Sequence, residues 1–353
     1  MTPTGAAEPS MSTLIRAATM KNYFEVAQQL GLNPQPLLNA AGLSRTMLAD
    51  PERRIPAAAA VRLLEESARQ SGCDTFGLRM AESRQLSDFG VLSLLLIHQP
   101  TLRDALVTTM KYRHLLNELL AIHVEERGRT VVIREEFVPD AGMPSRQATE
   151  LALGALYRLC GALLGAHWKP HGIHFTHAAP ENLQVHRRVF RCAMEFDREF
   201  NGIVCDAADL AFRNPSADPA MALYVRRLVE ALPAPAHGSI ATDVRKDLYI
   251  LMPMGQATIE QVARGRGMNV RTLQRRLEDA GETFSGTLNS VRTELVLRYM
   301  ENRQYSLQVV GRLLGFSSPS SFTRWFGTEF GVAPRAWRHG ARPTDAGLRS
   351  PGK

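Results

Sequence analysis

The sequence predicts two domains of different class: an α+β N-terminal domain, followed by an all-α C-terminal domain in which two helix-turn-helix motifs are joined by a long helix. Three observations predict this division. Segments with the two-residue alternation of a strand occur only in the first two thirds of the chain. The segment Pro233-Ala-Pro-Ala-His-Gly-Ser239 separates two helical patterns, and its prolines and glycine neither continue a helix nor invite contacts, as a linker requires. The third observation is charge. Lys and Arg number 42 against 35 Asp and Glu. Residues 1–239 carry 25 of each sign and residues 240–353 carry 17 basic and 10 acidic, so the whole formal charge of +7 lies in the last third. A neutral body joined to a basic module points to a polyanionic partner, although a solvated basic face would give the same count.

Residues 1–12 are small and polar, and 341–353 are rich in Pro, Gly and Ser; both are expected to be disordered. The domains are then expected at 13–232 and 240–340, with the linker at 233–239. In the first domain, helical spacing marks 22–30, 57–70, 102–119 and 149–164. Segments 121–126 and 130–137 read as two strands joined by Arg127-Gly128-Arg129, a hairpin, and 172–176 as a third strand of a small antiparallel sheet. Downstream of the linker every segment reads as helix.

Several chemistries find no support. Cys73, Cys160, Cys192 and Cys205 have no C-x-x-C spacing and the first 30 residues lack a signal-peptide pattern, so we expect a reducing cytoplasm and no disulfides. The most apolar stretch, 151–166, is short and carries Arg158, which marks a core helix rather than a membrane span. His171, His174 and His177 would alternate faces along a strand and so do not converge on a metal. No nucleophile elbow, phosphate loop, dinucleotide fingerprint or zinc-protease motif occurs, so no catalytic residue, cofactor or metal is expected.

The most informative feature is an internal repeat. Val262-Ala-Arg-Gly-Arg-Gly-Met268 matches Val310-Gly-Arg-Leu-Leu-Gly-Phe316 at an offset of 48, and Leu273, Arg275 and Leu277 match Phe322, Arg324 and Phe326 at an offset of 49. Each copy is a short helix, a turn carrying Gly267 or Gly315, and a second helix. In the first copy Val270, Leu273 and Leu277 form one apolar stripe, which leaves Arg271, Gln274 and Arg275 on the opposite face. Arg grips guanine and Gln grips adenine in bidentate fashion through the major groove. In the second copy Phe322, Trp325 and Phe326 supply the buried side and Ser320, Ser321 and Arg324 face outward. Short hydroxyls discriminate less, so the first copy is expected to specify sequence more strongly. With Asn269, Thr272 and Ser318 at the starts of the second helices, the candidate DNA-contact set is Asn269, Arg271, Thr272, Gln274, Arg275, Ser318, Ser320, Ser321 and Arg324. Between the copies, residues 283–302 read as one helix with Phe284, Leu288, Val291, Leu295 and Tyr299 along a face. At about 1.5 Å per residue it spans roughly 30 Å, close to the ~34 Å of one DNA turn, so that one monomer would read two successive major grooves.

These residues carry a family resemblance. Residues 243–338 resemble the DNA-binding domain of the AraC/XylS family of bacterial transcription regulators. The matching motifs are Thr272-Leu-Gln-Arg-Arg-Leu277, Val291-Arg292, Leu313-Leu-Gly-Phe316 with Ser317-Ser-Pro-Ser-Ser-Phe322, Arg324-Trp-Phe326, Gly331-Val-Ala-Pro334 and Trp337-Arg338. The resemblance implies about seven helices, the third and sixth entering the major groove, with Arg271, Gln274 and Arg275 and then Ser320, Ser321 and Arg324 as base-reading positions. One departure stands out. Where the family has an apolar residue before the turn glycine, as Leu314 here, the first copy has Arg266 between Gly265 and Gly267. Arg266 must snorkel or find a partner, and the first helix pair is expected to be looser. The N-terminal region resembles the ligand domain of an ornithine-regulator-like branch, in which Leu86-Ser-Asp-Phe-Gly90 precedes an apolar helix and Phe175-Thr-His177 precedes Pro180.

The resemblance implies an effector-responsive regulator, an activator in the leading reading. Its expected partners are promoter DNA, RNA polymerase, a small-molecule effector of unidentified class and a second copy of the chain, either through 221–232, where Tyr224, Leu228 and Ala231 would form a seam, or through the N-terminal domain; no membrane is expected. The apolar helix 91–97, ending at His98, is either plain core, the commoner role of a buried helix, or a lining for an effector pocket. Two alternatives stay open: a regulator without a small ligand, controlled by abundance or a protein partner, and an enzyme with an accessory nucleic-acid module.

Overall fold

A computed structural model describes residues 13–138, 143–165, 167–232 and 239–340. The expectations for 1–12, 341–353 and all of the linker except Ser239 lie outside the described residues. The chain divides into two compact units. The first comprises Met1–His174, Ala179–Glu195 and Asn201–Ala236; the second comprises Phe175–Ala178, Phe196–Phe200 and His237–Lys353.

The first unit runs β1 (Leu14–Arg16), α1 (Tyr23–Gln29), α2 (Pro34–Ala41), α3 (Arg45–Ala49), β2 (Arg54–Pro56), α4 (Ala57–Ser71), α5 (Phe76–Glu82), α6 (Val91–Ile97), α7 (Leu102–Lys111), β3 (Leu120–Arg127), β4 (Thr130–Phe137), α8 (Arg146–Leu164), β5 (Gly172–His174), α9 (Gln184–Phe190), β6 (Ala193–Glu195), β7 (Gly202–Asp206), α10 (Ala207–Ala211) and α11 (Pro219–Glu230). The five-stranded sheet has the order β3-β4-β7-β5-β6. The expected hairpin is β3–β4, in antiparallel register from Leu120↔Phe137 to Arg127↔Thr130. Strand β7 pairs antiparallel with both β4 and β5, whereas β6 joins β5 in parallel. The sheet is therefore mixed, not purely antiparallel. Strands β1 and β2 form a separate antiparallel pair of three residues each, too short to leave a periodic signal.

One helix ends earlier than its apolar spacing predicts. Leu115, Leu116 and Leu119 continue the helical period past Lys111, yet α7 gives way to a 3-10 turn at Arg113–Leu115 and then to β3. Asn117 explains the change: its side-chain oxygen accepts from the Leu119 amide at 2.9 Å, a local turn that competes with the helix. The long apolar segment forms α8, whose buried side includes Leu151, Leu153, Leu156, Leu159 and Leu163, while Arg158 stays exposed. Among the described residues no helix is long and apolar enough to cross a membrane. All four cysteines are free.

In the second unit the described residues from Ser239 onward form seven helices and no strand: α12 (Ile240–Leu251), α13 (Ile259–Gly265), α14 (Val270–Asp279), α15 (Phe284–Glu301), α16 (Leu307–Leu313), α17 (Pro319–Phe330) and α18 (Pro334–Arg338). The third and sixth of these are α14 and α17. Phe175 and Phe196, in the two short stretches that group with this unit, stack at 4.9 Å between centroids. Helix α15 is buried on a broad side by Val291, Leu295, Val296, Tyr299 and Met300. It is tied to α12 by Glu294, which accepts from both Arg245 and the Tyr249 hydroxyl. Burial, reinforced by the Glu294 carboxylate, pushes that phenol well above its ordinary value, so it stays a donor.

Candidate nucleic-acid interface and effector cavity

Both helix pairs turn on a glycine in the left-handed region, Gly267 at φ 63° and Gly315 at φ 74°, a conformation that costs a side-chain-bearing residue about 1–2 kcal/mol. The structure thus places the same backbone device at the two repeat positions. Helix α14 buries Leu273 and Leu277 and leaves Arg271, Gln274 and Arg275 exposed on one side. These three lie at i, i+3 and i+4, so their side chains share a face. Asn269 caps the helix instead of standing free: its side-chain oxygen accepts from the Thr272 amide at 2.8 Å, and Thr272 is half-buried. Arg276, also exposed, lies against the Met268 sulfur at 3.8 Å.

Helix α17 repeats the plan with a different core. Phe322, Phe326 and Phe330 are buried, and with Phe316, Trp325 and Trp337 they form one ring cluster at 4.6–6.4 Å between centroids. Ser320 and Arg324 are exposed. Ser321 is half-buried, and its amide and hydroxyl both meet the Ser318 oxygen, at 3.2 and 2.9 Å, in the N-cap of the helix. Thr323, absent from the sequence-based set, is exposed beside Ser320 and Arg324; its signal was the i+3 spacing from Ser320. The second face is leaner still than its sequence suggested, because the Ser321 hydroxyl is already engaged with the Ser318 cap.

Each pair is fastened to the rest of the domain by different chemistry. The Arg292 Nε–H donates to the Leu314 carbonyl at 3.0 Å and its guanidinium lies 4.5 Å over the Phe316 ring, which locks the second turn to α15. The Trp325 indole donates to Asn289 at 2.6 Å, and Glu329 accepts from Asn289 and Thr293. In the first pair the unusual Arg266 is held by two carboxylates of α12, Asp247 at 2.6 Å and Asp243 at 3.0 Å. These are one helical turn apart, so a single guanidinium reaches both. The expected loosening is therefore offset by pairing.

The first unit contains a cavity of about 100 Å³ between α4, α8 and the β3–β4 hairpin. Its walls are mainly apolar, with Val61, Leu64, Ile122, Leu151, Leu156 and Leu159 among them. Polar groups are few. Glu135, on β4, is buried with its Oε2 lacking a hydrogen-bond partner among the described residues. Burial, with Glu136 beside it, pushes its carboxyl up to about 8, so it is largely neutral at pH 7. Arg84 lies elsewhere on the wall; it donates to the Ala18 carbonyl at 2.8 Å and to the Thr19 carbonyl, and its Nε–H is unpartnered. Helix α6, the sequence-based candidate lining, contributes no residue to this cavity; Leu92, Leu95 and Leu96 are ordinary core. The three histidines have different partners: His171 meets Asp206 at 3.1 Å, His174 meets Glu195 at 3.6 Å, and His177 meets the Ala178 carbonyl at 2.9 Å.

Two helix-turn-helix units on a basic all-α domain, preceded by a mixed α/β domain with an internal cavity, define a class of protein: a DNA-binding transcription regulator with an N-terminal ligand-binding domain. Family comparison agrees with that class. Residues 31–214, just over half of the chain, match the arabinose-binding domain of AraC transcription regulators, and residues 262–340 match a helix-turn-helix domain. The chain belongs to the AraC family of transcription regulators. It is 26% identical over 330 residues to the HTH-type transcriptional regulator VirS of Mycobacterium tuberculosis, covering 93% of this chain and 97% of that one. It is likewise 26% identical over 330 residues to the ornithine utilization regulator of Pseudomonas aeruginosa, covering 92% and 96%. The crystal structure of the transcriptional regulator CdpR from Pseudomonas aeruginosa aligns over 89% of this chain and 98% of that chain at 20% identity, with a TM-score of 0.43. The chain is thus a regulator and not an enzyme.

Replacing Arg266 with Ala should destabilise the second unit by about 1–2 kcal/mol, because two part-buried carboxylates lose a charge-assisted partner. Chemical denaturation of the full chain measures this. The double variant with Asp247→Ala should cost less than the two single losses added, and strict additivity would mean the pair is not coupled.

Proposed function

We propose that this protein is an effector-controlled, sequence-specific regulator, an activator in its simplest form, in which α14 and α17 of one monomer read successive major grooves of promoter DNA. The observation that carries the reading is the exposed Arg271, Gln274 and Arg275 face, matched by Ser320 and Arg324 at the equivalent place in the second repeat. Helix α15, with 18 residues, is roughly 27 Å long, which supports a spacing of about one DNA turn. Asn269 and Ser318 serve this interface by fixing the first turn of each reading helix; Thr272 and Ser321 contribute at its edge. The regulatory domain spans 13–232 and the DNA-binding domain 240–340, and the protein works in the cytoplasm, where RNA polymerase is the natural partner of an activator.

Replacing Arg275 with Ala should cost about 1–3 kcal/mol on the cognate site and relax base preference there, whereas Ser320→Ala should change preference far less. Equal losses on cognate and random DNA, measured by fluorescence anisotropy, would mean that Arg275 holds only phosphate.

A cavity with an unpartnered carboxyl oxygen supports control by a small molecule over control by abundance or a protein partner. An effector acts only if it prefers one state of the regulator. Thermal-shift screening of a metabolite panel, followed by DNA binding with and without each hit, tests this; hits that leave both DNA affinity and transcription unchanged would sink it.

A second copy of the chain would dock on α11, whose Met221, Leu223, Tyr224 and Leu228 are exposed together with Leu232, Tyr224 at 60%. Sedimentation at micromolar concentration should give a dimer that Leu228→Glu converts to monomer. A wild-type monomer under those conditions rules the seam out.

A further inference from the structure

We propose that the cavity of the first unit takes a small primary amine with an apolar body, whose ammonium group pairs with Glu135. The inference rests on the effector-control reading above and gives it a ligand class. It starts from an unmet need: an oxygen of Glu135 is buried without a partner among the described residues, in a wall whose apolar part includes Ile122 and Leu156. A buried acceptor left unpaired is costly, and a ligand carrying N–H groups satisfies it.

Size and polarity narrow the choice. An apolar cavity of 150 Å³ is known to hold benzene, so the 100 Å³ here suits about four to six non-hydrogen atoms. A sugar would carry several hydroxyls into walls that are mainly apolar, despite the arabinose-binding description of the matching domain. The titratable groups about Glu135 come from several elements. Glu136 follows it on β4, and Ile122 is its partner across the hairpin. From α8 the nearby titratable group is Cys160, whose thiol is held neutral by burial. Arg16, Arg84, Asp88 and Arg113 also line the cavity. Of these, Arg16 is paired with Glu52 and Asp88 with Lys21, Arg113 donates to the Met110 carbonyl at 3.2 Å, and both terminal nitrogens of Arg84 donate to carbonyls. Among the described residues the polar side-chain atoms of the lining that are buried without a partner are the Arg84 Nε–H and the Glu135 Oε2, and it is the second that an ammonium group meets.

Binding balances as proton release: neutral Glu135 and an alkylammonium give the carboxylate–ammonium pair and one proton to solvent. Since the free carboxyl titrates near 8, amine affinity should rise as pH goes from 6 to 8, up to about tenfold per unit, then level off.

The test uses the full chain and four probes: n-butylamine, n-butanoate, butan-1-ol and L-arabinose, followed by calorimetry between pH 6 and 9. The expected result is binding of butylamine in preference to the others, strengthening toward pH 8 with proton release. Glu135→Gln, near in shape, should lower butylamine affinity at least tenfold at pH 8 with little change for butanol. Ala152→Leu, filling the cavity from α8, should abolish butylamine binding while Glu135 is intact. Preference for butanoate, butanol or arabinose, a flat pH profile, or no binding of any probe overturns the amine assignment. Those outcomes leave effector control to be judged by the metabolite screen. Butylamine binding as expected with DNA affinity unchanged would keep the amine site and fail the control reading.

Discussion

The burial of α15 is the constraint on which the DNA-binding unit depends. Val291, Leu295 and Tyr299 on one line, with Val296 and Met300 beside them, leave this helix little freedom to rotate or slide. Glu294 joins it to α12, and Arg292 joins it to the turn of the second repeat. Neither α14 nor α17 has a large core of its own: α14 buries two leucines, and α17 buries three phenylalanines. Their orientation is inherited from the helix between them, so the separation of the two exposed faces is a property of packing more than of any loop.

The two repeats solve the same mechanical problem with opposite chemistry. The second is held by stacked rings and an indole hydrogen bond, interactions that salt scarcely touches. The first is held by a guanidinium between two part-exposed carboxylates, which salt weakens. The repeat is thus symmetric in backbone, down to the left-handed glycines, and asymmetric in what fixes it.

Much of this was legible in the sequence, for physical reasons that also mark the limits. The stripe Leu273–Leu277 and its counterpart Phe322–Phe326 fixed which faces point outward, because a helix has one period and a residue pair four apart must share a side. The hairpin β3–β4 was readable from its alternation and its Arg127-Gly128-Arg129 turn. The mixed sheet was not, since β6 and β7 have only three and five residues, and β7 reaches back to pair with β4. The end of α7 was hidden because its leucines keep the helical spacing while Asn117 redirects the backbone. Glu135 escaped notice because a carboxylate in a strand is ordinarily a solvent-facing residue; only the third dimension shows that β4 is buried on both sides. Asn269 and Ser318 illustrate the converse: their positions were readable, but their oxygens are taken by helix caps.

Arg266 carries a consequence for how such a regulator can change over generations. Its guanidinium depends on Asp243 and Asp247, which lie on a different helix. A drift of either aspartate to an apolar residue strands a cation, and a drift of Arg266 to leucine strands two anions, so the three positions are heritable as a set. The first helix pair is therefore no portable cassette: residues 259–279 moved into a relative would fold well only if α12 travelled with them. The second pair, anchored by rings and by α15, crosses a different boundary, and recombination that respects one seam would cut the other.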